Sequence, residues 1–198
     1  MTLDKRSQNN YYLVFAGAQE RHDWDYLKKL APSDGSVIMQ KLTTQIGVLV
    51  LAGPKSREVL QKLTDTDLGN DNFKWLSGKR IDIGYAQAEA LRVNFIGELG
   101  WELHHPIEMQ NYIFDALMAA GAEHQVRPFG IRAMESMRLE KSYRLIPREL
   151  SIEYSALESG LDRFIKLDKE QDFIGKQALI SWQRRGFKYR FVTLEVHG

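Results

Sequence analysis

Two rhythms of apolar residues run through this chain, one alternating and one returning every three or four positions, and they predict strands and helices respectively. Tyr11 to Phe15 is an aromatic and β-branched run that stops at Ala16-Gly17-Ala18, which predicts a strand. From Gln19 to Leu30, Trp24, Tyr26, Leu27 and Leu30 fall at helical spacing. Pro32, Asp34 and Gly35 then supply turn chemistry that ends the helix. Val37 to Met39 reads as a short strand. Gln45 to Ala52 reads as a longer one, so nearly continuous in apolar residues that a central place in a sheet is expected. Gly53-Pro54 opens a helix with Val59, Leu60 and Leu63 as its buried stripe; proline suits a first turn because its missing N–H has no partner to lose there.

Further along, Ile81 to Gly84, Ala88 to Ile96 and Trp101 to His104 read as strands, with Glu98-Leu99-Gly100 as the break before the last. Pro106 opens a helix whose apolar face carries Tyr112, Ile113, Leu117 and Met118, and a second helix follows Gly130 with Ile131, Met134, Met137 and Leu139 as its apolar set. Gly175 to Trp182 is the next helical stretch, and Phe191 to Val196 reads as a closing strand. Strand, helix, strand, strand recur in that order before residue 120. This predicts an α+β fold, with helices on one face of a ferredoxin-like, mainly antiparallel sheet. The expected division is a sheet domain over residues 1–125 and a helix-loop segment over 126–198. Met1 lies about one strand's length ahead of the first regular element, and the chain stops as if in mid-strand, so a segment truncated at both ends is expected.

Charge and composition mainly remove partners. With 27 basic and 26 acidic residues the net charge is +1. That balance carries no electrostatic footprint for nucleic acid and no polybasic membrane anchor. The absence of cysteine removes disulfides, thiolate zinc sites and cysteine nucleophiles. Residues 1–20 lack the apolar core of a secretory signal, and the longest apolar run, Ile46 to Ala52, is too short to span a bilayer. A soluble protein of the cytoplasm or an organelle matrix is expected. His22, His104, His105, His124 and His197 form no H-E-x-x-H spacing, so a metal site is not expected. His22 reads as lying on a solvated helix face, and His104-His105 as finishing a strand. Nucleophile elbow, phosphate loop and dinucleotide fingerprint are missing too.

Two stretches stand out. In Gly97-Glu98-Leu99-Gly100-Trp101-Glu102-Leu103, alternation sets Trp101 and Leu103 on one face and Glu102 on the other. Spacing alone leaves Glu102 either facing solvent, the favoured reading, or paired with an arginine. The second stretch, Gly130 to Arg144, carries Arg132, Arg138 and Arg144, which could hold a carboxylate tail. Glu135 and Arg138 are one turn apart and could pair, so a surface helix laced with weak ion pairs fits equally well.

In their order along the chain, these motifs resemble the glycine-cleavage T-protein (aminomethyltransferase) family. The segments concerned are Leu51 to Leu60, Gly97 to Leu103 with its G-E-x-G-aromatic-E-aliphatic element, Arg132 to Tyr143, Glu153 to Leu161, and Phe164 to Lys169 followed by Asp172 to Lys176. Leu139 to Arg144 and Gly160 to Phe164 are similar to the folate-binding C-terminal part of dimethylglycine and sarcosine dehydrogenases. The resemblance implies tetrahydrofolate as cofactor, an amine-derived one-carbon donor as substrate, and methylene transfer as the reaction. No flavin-binding segment is seen.

By the same resemblance Glu102 would hold the pterin ring, Phe95 and Trp101 would shape its site, and Arg132 or Arg144 would meet the glutamyl tail. Phe95 stands where many members carry tyrosine. Two departures touch catalysis. The family's catalytic aspartate aligns upstream of Met1, with Asp4 too close to the Tyr11 strand to replace it, and the family's mid-helix arginine falls on Met134. No catalytic residue is therefore assigned. The alternatives are a non-catalytic fragment or subunit that needs a complementary chain, or a folate-dependent demethylase on the same fold; a homo-oligomer or a complementary subunit is the expected assembly.

Overall fold

The computed structural model describes residues 1–146 and 148–197, and divides them into two compact units, Met1–Met137 and Arg138–Gly198. The sequence division placed the whole helix after Gly130 in the second part, whereas the units divide within that helix.

The first unit is built on a four-stranded antiparallel sheet. Its strands are β3 (Ile46–Ala52), β4 (Gly78–Ile83), β5 (Ala86–Leu91) and β6 (Gly100–Pro106), in the order β3-β6-β5-β4. One face packs against α2 (Ser56–Gln61) and α3 (Gln110–Ala120). Val59 and Leu60 from α2, Ile113 and Leu117 from α3, and Ile81, Ala88, Ala90, Trp101 and Leu103 from the strands make the core. The expected α+β class, helices on one face of an antiparallel sheet, is the class observed.

β3 is an edge strand rather than a central one. Its apolar run is continuous because it carries apolar residues on both faces. Leu49 and Leu51 turn to the core, while Val48 and Val50 stay 43% and 46% exposed on the other side. A continuous run therefore marked two apolar faces, not two neighbours.

A separate hairpin lies ahead of this sheet: β1 (Thr2–Ser7) pairs antiparallel with β2 (Asn10–Val14). β2 matches the expected Tyr11 strand, but β1 was not legible, because Thr-Leu-Asp-Lys-Arg-Ser puts polar side chains where a strand signal needs apolar ones. Asp4, opposite Tyr12, comes so close to β4 that a Cβ on Gly78 would lie 3.0 Å from its carboxylate. The hairpin thus lies against the sheet face opposite the helices.

α1 (Glu20–Leu30) forms as its periodicity requires but buries no residue fully. Its His22 is exposed and 3.0 Å from Asp23. The expected strand at Val37 to Met39 does not form, and Ile38 is 92% exposed. Phe191 to Val196 likewise finds no strand to pair with among the described residues. In both cases β propensity had no partner edge, and an unpaired strand has no ladder to hold it.

α4 (Ile131–Glu140) also departs from expectation. Ile131 and Leu139, assigned to its apolar face, are largely exposed, and the residue it buries is Arg138. Within the second unit, Arg138 Nη1 donates to the Tyr143 carbonyl and to Glu149 Oε2, both at 2.8 Å. Glu149 Oε2 also accepts the Leu145 amide at 2.9 Å. Burial opposes ionisation of Glu149, but the Leu145 amide and the guanidinium hold its pKa below the ordinary value.

Glu158 closes the remainder of this unit, where α5 (Lys176–Arg185) is the one long helix among the described residues. Oε2 accepts the Ser155 amide at 3.0 Å and its hydroxyl at 3.1 Å, and Oε1 accepts the amides of Lys188 and Tyr189 at 3.2 and 3.3 Å. The Ser155 amide is the main reason its pKa is also lowered. Lowered carboxyl pKa values stabilise the fold above the unfolded value, 4.5, and the contribution is lost as pH falls through the folded values. The second unit should therefore melt at lower temperature near about pH 3.5 than at pH 7. Glu158→Gln should flatten that dependence, as followed by circular dichroism.

Candidate functional site

The candidate site grows from how β6 begins. Asn94 closes the preceding loop on itself: its Oδ1 accepts the amides of Ile96 and Glu98 at 3.0 and 3.3 Å, and its amide donates to the Glu98 carbonyl. Gly97 takes φ +73°, in the left-handed region that favours glycine. Leu99 then turns its carbonyl onto the β3–α2 connection, accepting the Gly53 amide at 2.8 Å and the Ser56 hydroxyl at 3.0 Å. A Cβ on Gly100 would stand 2.5 Å from the Leu51 carbonyl oxygen. Both glycines of the G-E-L-G-W-E-L element are thus required by close backbone geometry. The element meets the Leu51–Leu60 segment directly, although 43 positions separate Ser56 from Leu99.

From Gly100 onward, alternation separates the side chains as expected. Trp101 and Leu103 are fully buried, and Glu102 lies on the opposite face with its side chain 22% exposed. Directly opposite Glu102 are Val50 on β3 and Leu91 on β5. Next along the same face stand Val48, His104 and Glu89, with Arg80 opposite Glu89 on β4 and bonded to it at 2.9 Å. Leu91 is buried and His104 is 2% exposed, whereas Val48 and Val50 are open. Glu102 therefore sits at a margin. On one side lies a covered, polar half of the sheet face, and on the other an exposed apolar shelf.

Glu102 finds a histidine rather than an arginine or open solvent: His104 Nε2 lies 3.2 Å from Oε2. No other group bonds the carboxylate among the described residues. His104 Nδ1 in turn meets the Tyr12 hydroxyl at 3.0 Å. Burial pushes the Tyr12 phenol above its ordinary pKa; Arg6 opposes this, while Glu102 and Glu89 add to it. Sequence reasoning missed His104 and Tyr12. The signal available was parity, since residues 102 and 104 of one strand share a face.

The remaining expected site residues fare differently. Phe95 is half-buried in the loop before β6. Arg132 is exposed in the first turn of α4. Trp101 is 0% exposed, in the core edge-to-face with Phe73, and so stands behind Glu102 on the inner face of the sheet. Arg144 has its guanidinium held within the second unit. Nε donates to the Ser159 carbonyl and Nη1 to the Ser142 carbonyl, each at 3.0 Å, and the group lies over the Phe191 ring at 4.4 Å. Asp4, on β1, has its Oδ2 3.7 Å from Arg6 Nε.

Residues 1–169 match the GCVT N-terminal domain family. Among individual proteins, human dimethylglycine dehydrogenase, mitochondrial, is 40% identical over 98% of this chain and 22% of its own length. Mouse sarcosine dehydrogenase, mitochondrial, is 34% identical over 94% of the chain and 20% of its own length. An aminomethyltransferase of Listeria monocytogenes serotype 4a (strain HCC23) is 34% identical over 99% and 52% respectively. The chain spans about a fifth of the two dehydrogenases and about half of the aminomethyltransferase.

The two aromatic residues that the sequence pointed to, Trp101 and Phe95, should separate cleanly in chemical denaturation. Trp101→Ala empties a core position and should cost about 3–5 kcal/mol. Phe95→Ala, on the half-buried loop, should cost about 1 kcal/mol.

Proposed function

The chain belongs to the GCVT N-terminal domain family, and on that premise we propose that it supplies the pterin-holding face of a tetrahydrofolate-dependent one-carbon transfer protein. The observation that carries the reading is Glu102. It is the outward-facing carboxylate of β6, 22% exposed, at the edge of an apolar shelf and with one oxygen, Oε1, unbonded among the described residues.

The chemistry suits a 2-aminopyrimidinone ring. Its amino group and ring N–H form a pair of parallel donors, and an ionised carboxylate accepts such a pair in charge-assisted hydrogen bonds. Val50, directly opposite Glu102, offers apolar surface beside that edge. Phe95 is the aromatic candidate for stacking, and Arg132 the exposed cation for the glutamyl tail. The transfer itself needs the folate nitrogen held near an electrophilic carbon, which is a matter of proximity and orientation. No residue of this chain is assigned a catalytic role.

The donor is an amine-derived one-carbon unit. Identity of 40% to dimethylglycine dehydrogenase, against 34% to the aminomethyltransferase, supports a unit released by oxidation of an N-methylamine. In such a setting a flavin-bearing part of the protein would form the iminium and this part would pass it to folate. The cytoplasm or an organelle matrix is the proposed location.

Calorimetric titration of the chain with tetrahydrofolate tests the reading. Binding at micromolar concentrations is expected, with Glu102→Ala weakening it at least about tenfold, the worth of a charged hydrogen bond. A folded chain with no affinity for tetrahydrofolate would mean that this piece is structural.

A further inference from the structure

The outer sheet face carries a chain of buried hydrogen bonds that folate recognition by Glu102 alone does not use. His104 is 2% exposed, yet both ring nitrogens are taken, Nδ1 by the Tyr12 hydroxyl at 3.0 Å and Nε2 by Glu102 Oε2 at 3.2 Å. The Tyr12 ring meets the imidazole edge-to-face, with centroids 5.4 Å apart. The contact joins the N-terminal hairpin to β6 across 92 positions of sequence.

The partners fix the protons. An ionised carboxylate only accepts, so Nε2 must carry a hydrogen where it faces Glu102. In the neutral ring Nδ1 is then an acceptor, and the Tyr12 hydroxyl must donate to it. The opposite tautomer would set the Nε2 lone pair against a carboxylate. Tyr12 remains a donor because burial raises its pKa, an effect that Arg6 opposes and Glu102 and Glu89 reinforce. The charged and titratable groups around the imidazole are therefore Tyr12 from β2, Glu102 from its own strand, Glu89 opposite it on β5, and Arg6, whose guanidinium lies 4.0 Å from the Tyr12 ring centroid.

We propose that His104 is a positioning residue, held by Tyr12 as the Nε2–H tautomer, which fixes the Glu102 carboxylate so that Oε1 is presented to a ligand bearing paired N–H donors. This rests on the reading of Glu102 as the pterin anchor. A partly exposed carboxylate left to itself samples several rotamers, and ordering it on binding costs affinity. Anchoring one oxygen from a buried ring removes that cost in advance. The hairpin is then part of the site although it touches no ligand, because it supplies the hydroxyl that sets the tautomer.

Long-range proton–nitrogen NMR of the full chain labelled at histidine reads the tautomer directly, and tetrahydrofolate titration reads its consequence. At about pH 8, above the ordinary imidazole range, the wild-type chain should show one buried histidine as Nε2–H. Tyr12→Phe should mix the tautomers with the backbone spectrum kept, and should weaken tetrahydrofolate binding about tenfold. His104→Leu should lose a similar factor. His104→Gln, which keeps an N–H for Glu102, should recover most of it. A packing role alone predicts the reverse order, leucine tolerated and glutamine not. An Nδ1–H tautomer, or imidazole signals unmoved in Tyr12→Phe, overturns the relay whether or not folate binds. If Tyr12→Phe binds undiminished while Glu102→Ala does not bind, the relay falls and the folate reading stands. If the tautomer is as stated but Glu102→Ala binds as well as wild type, the folate reading falls and takes the assigned ligand with it.

Discussion

Everything at the site depends on the register of β6 against β3. Trp101 and Leu103 must point inward, and a strand's period of two then forces Glu102 and His104 outward. Burying a tryptophan removes on the order of 200 Å² from water, about 5 kcal/mol at roughly 25 cal/mol per Å². A slip of one residue would forfeit that and drive the Glu102 carboxylate into an apolar core, at several kcal/mol more. The two terms have the same sign, so the register is strongly specified. The glycines reinforce it. Gly100 lets the β3 backbone approach to a distance that any side chain would block, and Gly97 allows the turn that starts the strand on that phase. The carboxylate is therefore placed by the tryptophan behind it.

What Glu102 meets on the outer face is decided by the hairpin. β1 and β2 cover the β4–β5 side of the sheet, so Leu91 and His104 are buried there, while Val48 and Val50 on the β3 side stay open. A fully open face would leave Glu102 solvated and mobile, and a fully covered one would make its charge expensive and unreachable. Placement at the margin keeps the group partly anchored and accessible. β1 turns polar residues toward the sheet, Asp4 among them, and the close approach at Gly78 accommodates this.

In the second unit, charged side chains have become structure. Arg138, Glu149 and Glu158 each hold backbone groups of a loop region with little regular structure, so main-chain donors and acceptors that a ladder would pair are paired by side chains instead. Arg144 belongs to the same scheme, reaching the carbonyls of Ser142 and Ser159. Cations spaced along a stretch of sequence looked like equivalents when read as a line. Folded, Arg132 is exposed, Arg138 is buried in an ion pair, and Arg144 is spent on carbonyls.

The sequence by itself determined the local alternatives: the α+β class, the helices at 20–30, 110–120, 131–140 and 176–185, and the two-sidedness of Trp101-Glu102-Leu103. These follow from periodicity, which is a property of neighbouring residues and needs no partner. The order of motifs was also sufficient to place the chain in its family, because order survives where any one motif is weak. Tertiary structure alone decided which strands had partners, making β3 an edge, giving the polar β1 a place, and leaving Val37 to Met39 and Phe191 to Val196 unpaired. It alone decided that Trp101 is a buried support and that Glu102 is tied through His104 to Tyr12. Pairing and burial are relations between distant segments, and neither propensity nor spacing within one segment contains them.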